Sequence, residues 1–120
     1  MEDKRAEQLE ALETLAEYND RIIKNIPILV KELNGARLED TDKFLDGIIN
    51  AINWEIEVLN ATMDVLNEGK ERISKADVND KIIVLGEAIS SKDDAKMAVA
   101  FEGMMPVLEN LKSAVQEVLA

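Results

Sequence analysis

Apolar residues return every three and four positions along four stretches of the chain, the period of a helical face. The first stretch, from about Asp3 to Leu33, carries Leu9, Leu12, Ala16, Asn19, Ile23, Ile26, Val30 and Leu33. Asn34-Gly35 ends it, because Gly accepts the left-handed conformation beyond a helix end without steric cost. The second, from about Thr41 to Glu68, carries Leu45, Ile49, Ile52, Ile56, Leu59, Met63 and Leu66. Asp40 or Thr41 is its expected N-cap, and Asp42 sits at the positive end of the helix dipole. Ile73 keeps the same register beyond Gly69, so the spacing extends this helix to about Ser74. The third begins with Asp77 as N-cap and runs to about Ser90 through Val78, Ile82, Leu85 and Ile89. The fourth begins near Ser91, with Asp93 and Asp94 in its first turn, and carries Met97, Phe101, Met104, Leu108, Leu111, Val115 and Val118.

Four amphipathic helices with no strand pattern predict an all-α fold, an antiparallel up-down four-helix bundle forming one domain over residues 1–120. The third helix is the short one. Pro27 and Pro106 fall inside the first and fourth helices and should bend them, since each removes a backbone donor and crowds the carbonyl four residues earlier. The polar connector from Gly69 to Ala76 must either fold over the space left by the short helix or leave an apolar groove there.

Helix two has a second seam: Phe44, Gly47, Ala51, Trp54, Val58, Ala61 and Val65, again at alternating spacings of three and four and with no charged member. At about 100° per residue its centre lies roughly 140° round the helix from the first seam. A helix apolar over so much of its circumference needs contact on two sides. Either it is central within its own bundle, or this second seam is a binding face for another molecule. Gly47, Ala51 and Ala61 are small enough to admit a partner, and Trp54 is the type of residue that anchors an interface.

Two polar residues interrupt the apolar faces. Glu55 projects between Ile48, Ile52, Leu59 and Thr62, where a carboxylate must find a partner or shift its pKa. Asn19 occupies a seam position on helix one, where an amide lowers stability and fixes register.

Composition narrows the functional classes. The 120 residues are 47% apolar and 32% charged, with a net charge of −11 that repels nucleic acid and anionic lipid. With no His and no Cys there is no imidazole base, thiolate or zinc site. The acidic stretch Asp40 to Gly47 puts Phe44 and Leu45 where a calcium loop needs oxygen ligands. Catalytic residues, metal ligands and cofactors are therefore not expected, and the chain reads as a non-enzyme. No apolar run reaches the length of a membrane span, and the opening MEDKRAEQLEALE lacks the apolar core of a signal peptide, which predicts a cytoplasmic protein.

Near the end of the chain stand Glu87-Ala88-Ile89-Ser90-Ser91-Lys92-Asp93 and Phe101-Glu102-Gly103-Met104-Met105-Pro106-Val107-Leu108-Glu109. These residues, within about 82–112, resemble a family of small uncharacterised bacterial all-helical proteins, with Gly103 where that family carries Tyr. Such proteins look like flagellar export chaperones in architecture and size. That likeness is one of fold and assigns no function; the second seam of helix two is what makes the leading expectation a non-enzymatic interaction module, chaperone-like or adaptor-like, that binds a helical or extended protein segment or a second copy of itself through helix two. The alternative is a bundle holding a small hydrophobic ligand against Ile52, Leu59, Met63, Met104 and Leu108.

Overall fold

In the computed structural model, which describes residues 2–120, with side chains from Lys4, the four helices are α1 (Glu2–Leu33), α2 (Thr41–Leu66), α3 (Lys75–Ser91) and α4 (Asp94–Leu119). The 49 Å long axis matches the roughly 48 Å that 32 residues of α-helix span. Consecutive helices run antiparallel. α1 packs along both α2 and α4, α3 packs on α4, and α2 touches α4 lightly; among the described residues α2 and α3 do not meet. The centre of the bundle is therefore the α1–α4 pair, and α2 is not its central helix.

Local chemistry fixes the helix ends. At the end of α1, Gly35 takes φ +113° and the Ala36 N–H reaches back to the Glu32 carbonyl at 3.1 Å. At the start of α4, the Asp93 side chain accepts a hydrogen bond from the Lys96 N–H at 3.1 Å. Replacing Asp93 with Ala should cost about 1 kcal/mol of unfolding free energy, the usual worth of such a cap, and urea denaturation will measure it.

Two expectations need correction. α2 does not run to Ser74 but stops at Leu66, because Asn67 captures the chain beyond it: its Oδ1 accepts from the N–H groups of Arg72 and Ile73 at 2.8 and 2.9 Å. Its Nδ2 donates to the Ile73 carbonyl at 3.1 Å, which leaves Ile73 1% exposed in the core. The connector therefore folds over the bundle. The N-cap of α3 is Ser74, whose Oγ accepts from the Asp77 N–H at 3.3 Å, and not Asp77. At the start of α2 Asp40 is the N-cap residue, one of the two positions expected, although its side chain makes no cap bond; Thr41 accepts from the Leu38 N–H at 2.8 Å and donates to the Glu32 carboxylate at 2.7 Å. Both prolines lie in unbroken helix with exposed side chains, so their disturbed backbone faces the solvent side, where water can satisfy it.

The core divides into two apolar clusters. One joins Ile22 to Leu33 of α1 with Leu45 to Ile52 of α2, part of α3, and Met97 to Leu108 of α4. The other joins Leu12 and Leu15 of α1 with Leu59 to Leu66 of α2, Ile73, Val78, and Leu111 to Val115 of α4. No helix among the described residues is long and apolar enough to cross a membrane.

Candidate functional site

The buried face of α2 takes in Leu45, Ile52, Leu59 and Leu66 of the first predicted seam, and Ile49, Ile56 and Met63 of that seam are half-buried. The buried stripe runs Leu45, Ile48, Ile52, Glu55, Leu59, Thr62 and Leu66, between the two. The buried face is thus the first seam rotated towards the second, and the second is a flank, half covered by neighbouring helices. Of the second seam, Val65 is buried, Phe44, Ala51, Trp54 and Val58 are half-buried, and Gly47 and Ala61 are exposed. Trp54 meets Tyr18 of α1, with ring centroids 4.8 Å apart and planes tilted by 50°. The indole therefore has an intrachain partner on one side.

What remains open beside that aromatic pair is a depression of about 270 Å³ between α1 and α2. Tyr18, Arg21, Ile22 and Asn25 of α1 line one wall, and Phe44, Gly47, Ile48 and Ala51 of α2 line the other. Small residues make the depression: a Cβ added at Gly47 would meet nothing within 4 Å. Tyr18 is 42% exposed, and the Arg21 guanidinium lies 5.4 Å from the centre of its ring. Three residues of the second seam, Phe44, Gly47 and Ala51, thus share one concave surface; Val58, Ala61 and Val65 belong to the other end of α2. Tyr18 and Arg21, absent from the sequence-derived site, complete it. Their apolar spacing with Asn25 is too weak to register as a seam.

A larger depression of about 490 Å³ lies between α3 and α4, lined by Val84, Ala88, Ala95, Val99 and Ala100 beside Glu87, Ser91 and Lys96. Val84 and Val99 are 51% and 69% exposed, and each lies off the buried face of its helix. Isolated apolar residues on a polar face carry no periodic signal, so the sequence gives no warning of this surface.

Inside the bundle, Asn19 is 1% and Glu55 2% exposed. Asn19 Nδ2 donates to the Leu108 carbonyl of α4 at 2.9 Å, while Asn19 Oδ1 and Glu55 Oε1 are buried without a partner. Burial alone pushes the Glu55 carboxyl up to about 8. Of the five residues expected to line a small-ligand site, Ile52, Leu59, Met104 and Leu108 are each 2% exposed or less within the packed clusters, and Met63 is half-buried at the edge of one. Among the described residues no group of acidic side chains is arranged to hold a metal ion.

Residues 10–114 match a family described as a domain of unknown function, DUF8042. The chain belongs to that family. The match spans most of α1, all of α2 and α3, and α4 as far as Ala114, so the DUF8042 unit includes both the α1–α2 depression and the buried Asn19–Glu55 level. No curated protein and no solved structure matches the chain.

Proposed function

We propose that this DUF8042 protein is a non-enzymatic, chaperone-like or adaptor-like module that docks a basic amphipathic helical segment in the α1–α2 depression. The observation carrying this reading is an aromatic pair at the edge of a concave, largely apolar surface between two helices. Apolar side chains of the segment would fill the space over Gly47 and Ala51, as a helix laid in a groove does. The net charge of −11 would draw in its Lys and Arg residues and speed the encounter. The face of Tyr18 already holds one guanidinium, so it suits a cation.

Trp54 is the only Trp, which makes its fluorescence a direct reporter. Titrating the protein with an amphipathic peptide of Leu and Lys should shift the emission saturably, with affinity falling as salt is added. A Leu and Glu peptide of the same pattern should not bind. Gly47→Lys should weaken the basic peptide at least about tenfold, the scale of blocking an interface centre, and the open space there lets that variant fold. Equal response to both peptides, or no effect of Gly47→Lys, defeats the reading. Light scattering of the protein alone separates a second outcome, in which a second copy fills the surface.

A further inference from the structure

Asn19 and Glu55 lie at one height in the bundle. Tyr18 and Trp54, their chain neighbours, touch across the α1–α2 contact, and Gln8 Nε2 reaches Asp64 Oδ1 at 3.0 Å in the same antiparallel register. On α1, Asn19 falls between Leu15 of one apolar cluster and Ile22 of the other; on α2, Glu55 falls between Leu59 and Ile52 of the same two clusters. The two residues are thus the polar layer separating the halves of the core. With Asn19 Nδ2 committed to α4, its Oδ1 is left in the layer that Glu55 enters from α2.

An amide oxygen and an ionised carboxylate are both acceptors, and neither can satisfy the other. One proton resolves the conflict. We infer that Glu55 and Asn19 form a proton-closed lock at the middle of the bundle: the neutral Glu55 carboxylic acid donates its hydrogen to Asn19 Oδ1, and Asn19 Nδ2 holds the Leu108 carbonyl. A single hydrogen thereby ties α2 to α1 and, through the amide, to α4. Loss of that hydrogen leaves two buried acceptors face to face and opens the α1–α2 contact to water.

The Glu55 carboxyl, raised to about 8 by burial, retains this proton at neutral pH. No charge from the packed helices offsets the effect of burial. On α1, Glu17 and Arg21 are exposed and Asp20 pairs with Lys112 of α4 at 3.3 Å; on α4 Glu109 is exposed, as is Glu57 on α2. Because the folded value lies above that of an unfolded glutamate, the folded chain holds a proton that the unfolded chain releases. The stability this supplies is complete below the unfolded pKa and is lost as pH rises through about 8. The chain has no His and no Cys, so no other side-chain type ordinarily titrates in that window.

Urea unfolding of the full chain from pH 5 to 8.5 tests the lock. The folding equilibrium constant should fall by up to about tenfold per pH unit, and Glu55→Gln, which keeps the shape and a donor, should abolish the slope. At pH 5.5 the cost of Asn19→Leu should differ about tenfold between the native background and Glu55→Leu, the coupling expected of a buried hydrogen-bonded pair. A pH-independent native protein, a slope that survives Glu55→Gln, or additive Asn19 and Glu55 effects overturns the inference. Should the Leu variants fail to fold, carboxyl ¹³C shifts of the native protein and Glu55→Gln decide it: the resonance lost in Glu55→Gln must titrate above pH 6, and titration in the ordinary glutamate range refutes the lock.

Discussion

Phe101→Ala will lower the unfolding free energy by about 3–5 kcal/mol, the range seen when a buried aromatic is truncated and the core cannot collapse around the void. Phe101 is 0% exposed and heads the fully buried side chains by volume. Its cluster draws on all four helices: Ile26 and Leu29 of α1, Ile48 of α2, Leu85 of α3 and Met104 of α4. The chain has two Phe, one Trp and one Tyr, and the other three aromatics are only partly buried, so no second large ring can move inward to compensate. Phe101→Leu, which restores most of the volume, should cost less than about 1.5 kcal/mol. Urea midpoints for the pair check this, and near-equal losses would mean that the site relaxes freely. Against a typical total of about 5–15 kcal/mol, that loss is a large fraction of the stability of a domain.

Asn67→Ala is expected to cost about 2–4 kcal/mol, although Asn67 lies outside the helices. Its side chain makes three hydrogen bonds to the connector, and truncation leaves the Arg72 and Ile73 N–H groups without their acceptor, at about 1–3 kcal/mol for each buried group so stranded. The connector is also tied down by Arg72 Nη1, which donates to the carbonyls of Leu66 and Glu68 at 3.0 and 2.9 Å, so it should loosen rather than detach. Asn67→Asp keeps the acceptor and loses only the bond to the Ile73 carbonyl. Hydrogen exchange at the Ile73 amide should accelerate strongly in Asn67→Ala and weakly in Asn67→Asp. Equal exchange in the two would show that the side-chain oxygen does not hold the turn.

These two sites mark where the sequence was informative and where it was not. The seam of α4 was legible because Met97, Phe101, Met104, Leu108, Leu111 and Val115 are buried at the spacing they display, and Asn34-Gly35 signalled the end of α1 through backbone geometry alone. The end of α2 is not legible in the spacing, because Ile73 continues its apolar register while the residue that stops the helix, Asn67, acts through hydrogen bonds that periodicity does not report. On α1 the buried face includes Leu15, Ile22 and Leu29, whereas Leu9, Ala16 and Ile23 are half-buried. That rotation towards α2 follows from α1 packing against two helices at once, which no single-helix projection contains. Helix α2 offered two apolar seams, and burial of the stripe between them depends on the angle at which α1 and α4 approach. The same projection did locate Glu55, because a carboxylate among aliphatic residues is visible without knowing the neighbours. Tyr18 and Arg21 were not identified as part of the α1–α2 surface, since their place there comes from the pairing of α1 with α2.

The pairing of α1 with α4 along the axis of the molecule has a consequence for how the chain folds. α1 with α2, and α3 with α4, are hairpins of neighbouring segments and can zip up over short loops, yet each leaves a broad aliphatic surface bare until the other arrives. Closure then depends on contacts between segments some ninety positions apart, such as that joining Asn19 to Leu108, whose long intervening chain makes them the entropically costly ones to form. A protein built this way gathers its cohesion at a seam between distant stretches of sequence, and neither hairpin severed from the other would keep its greasy face dry.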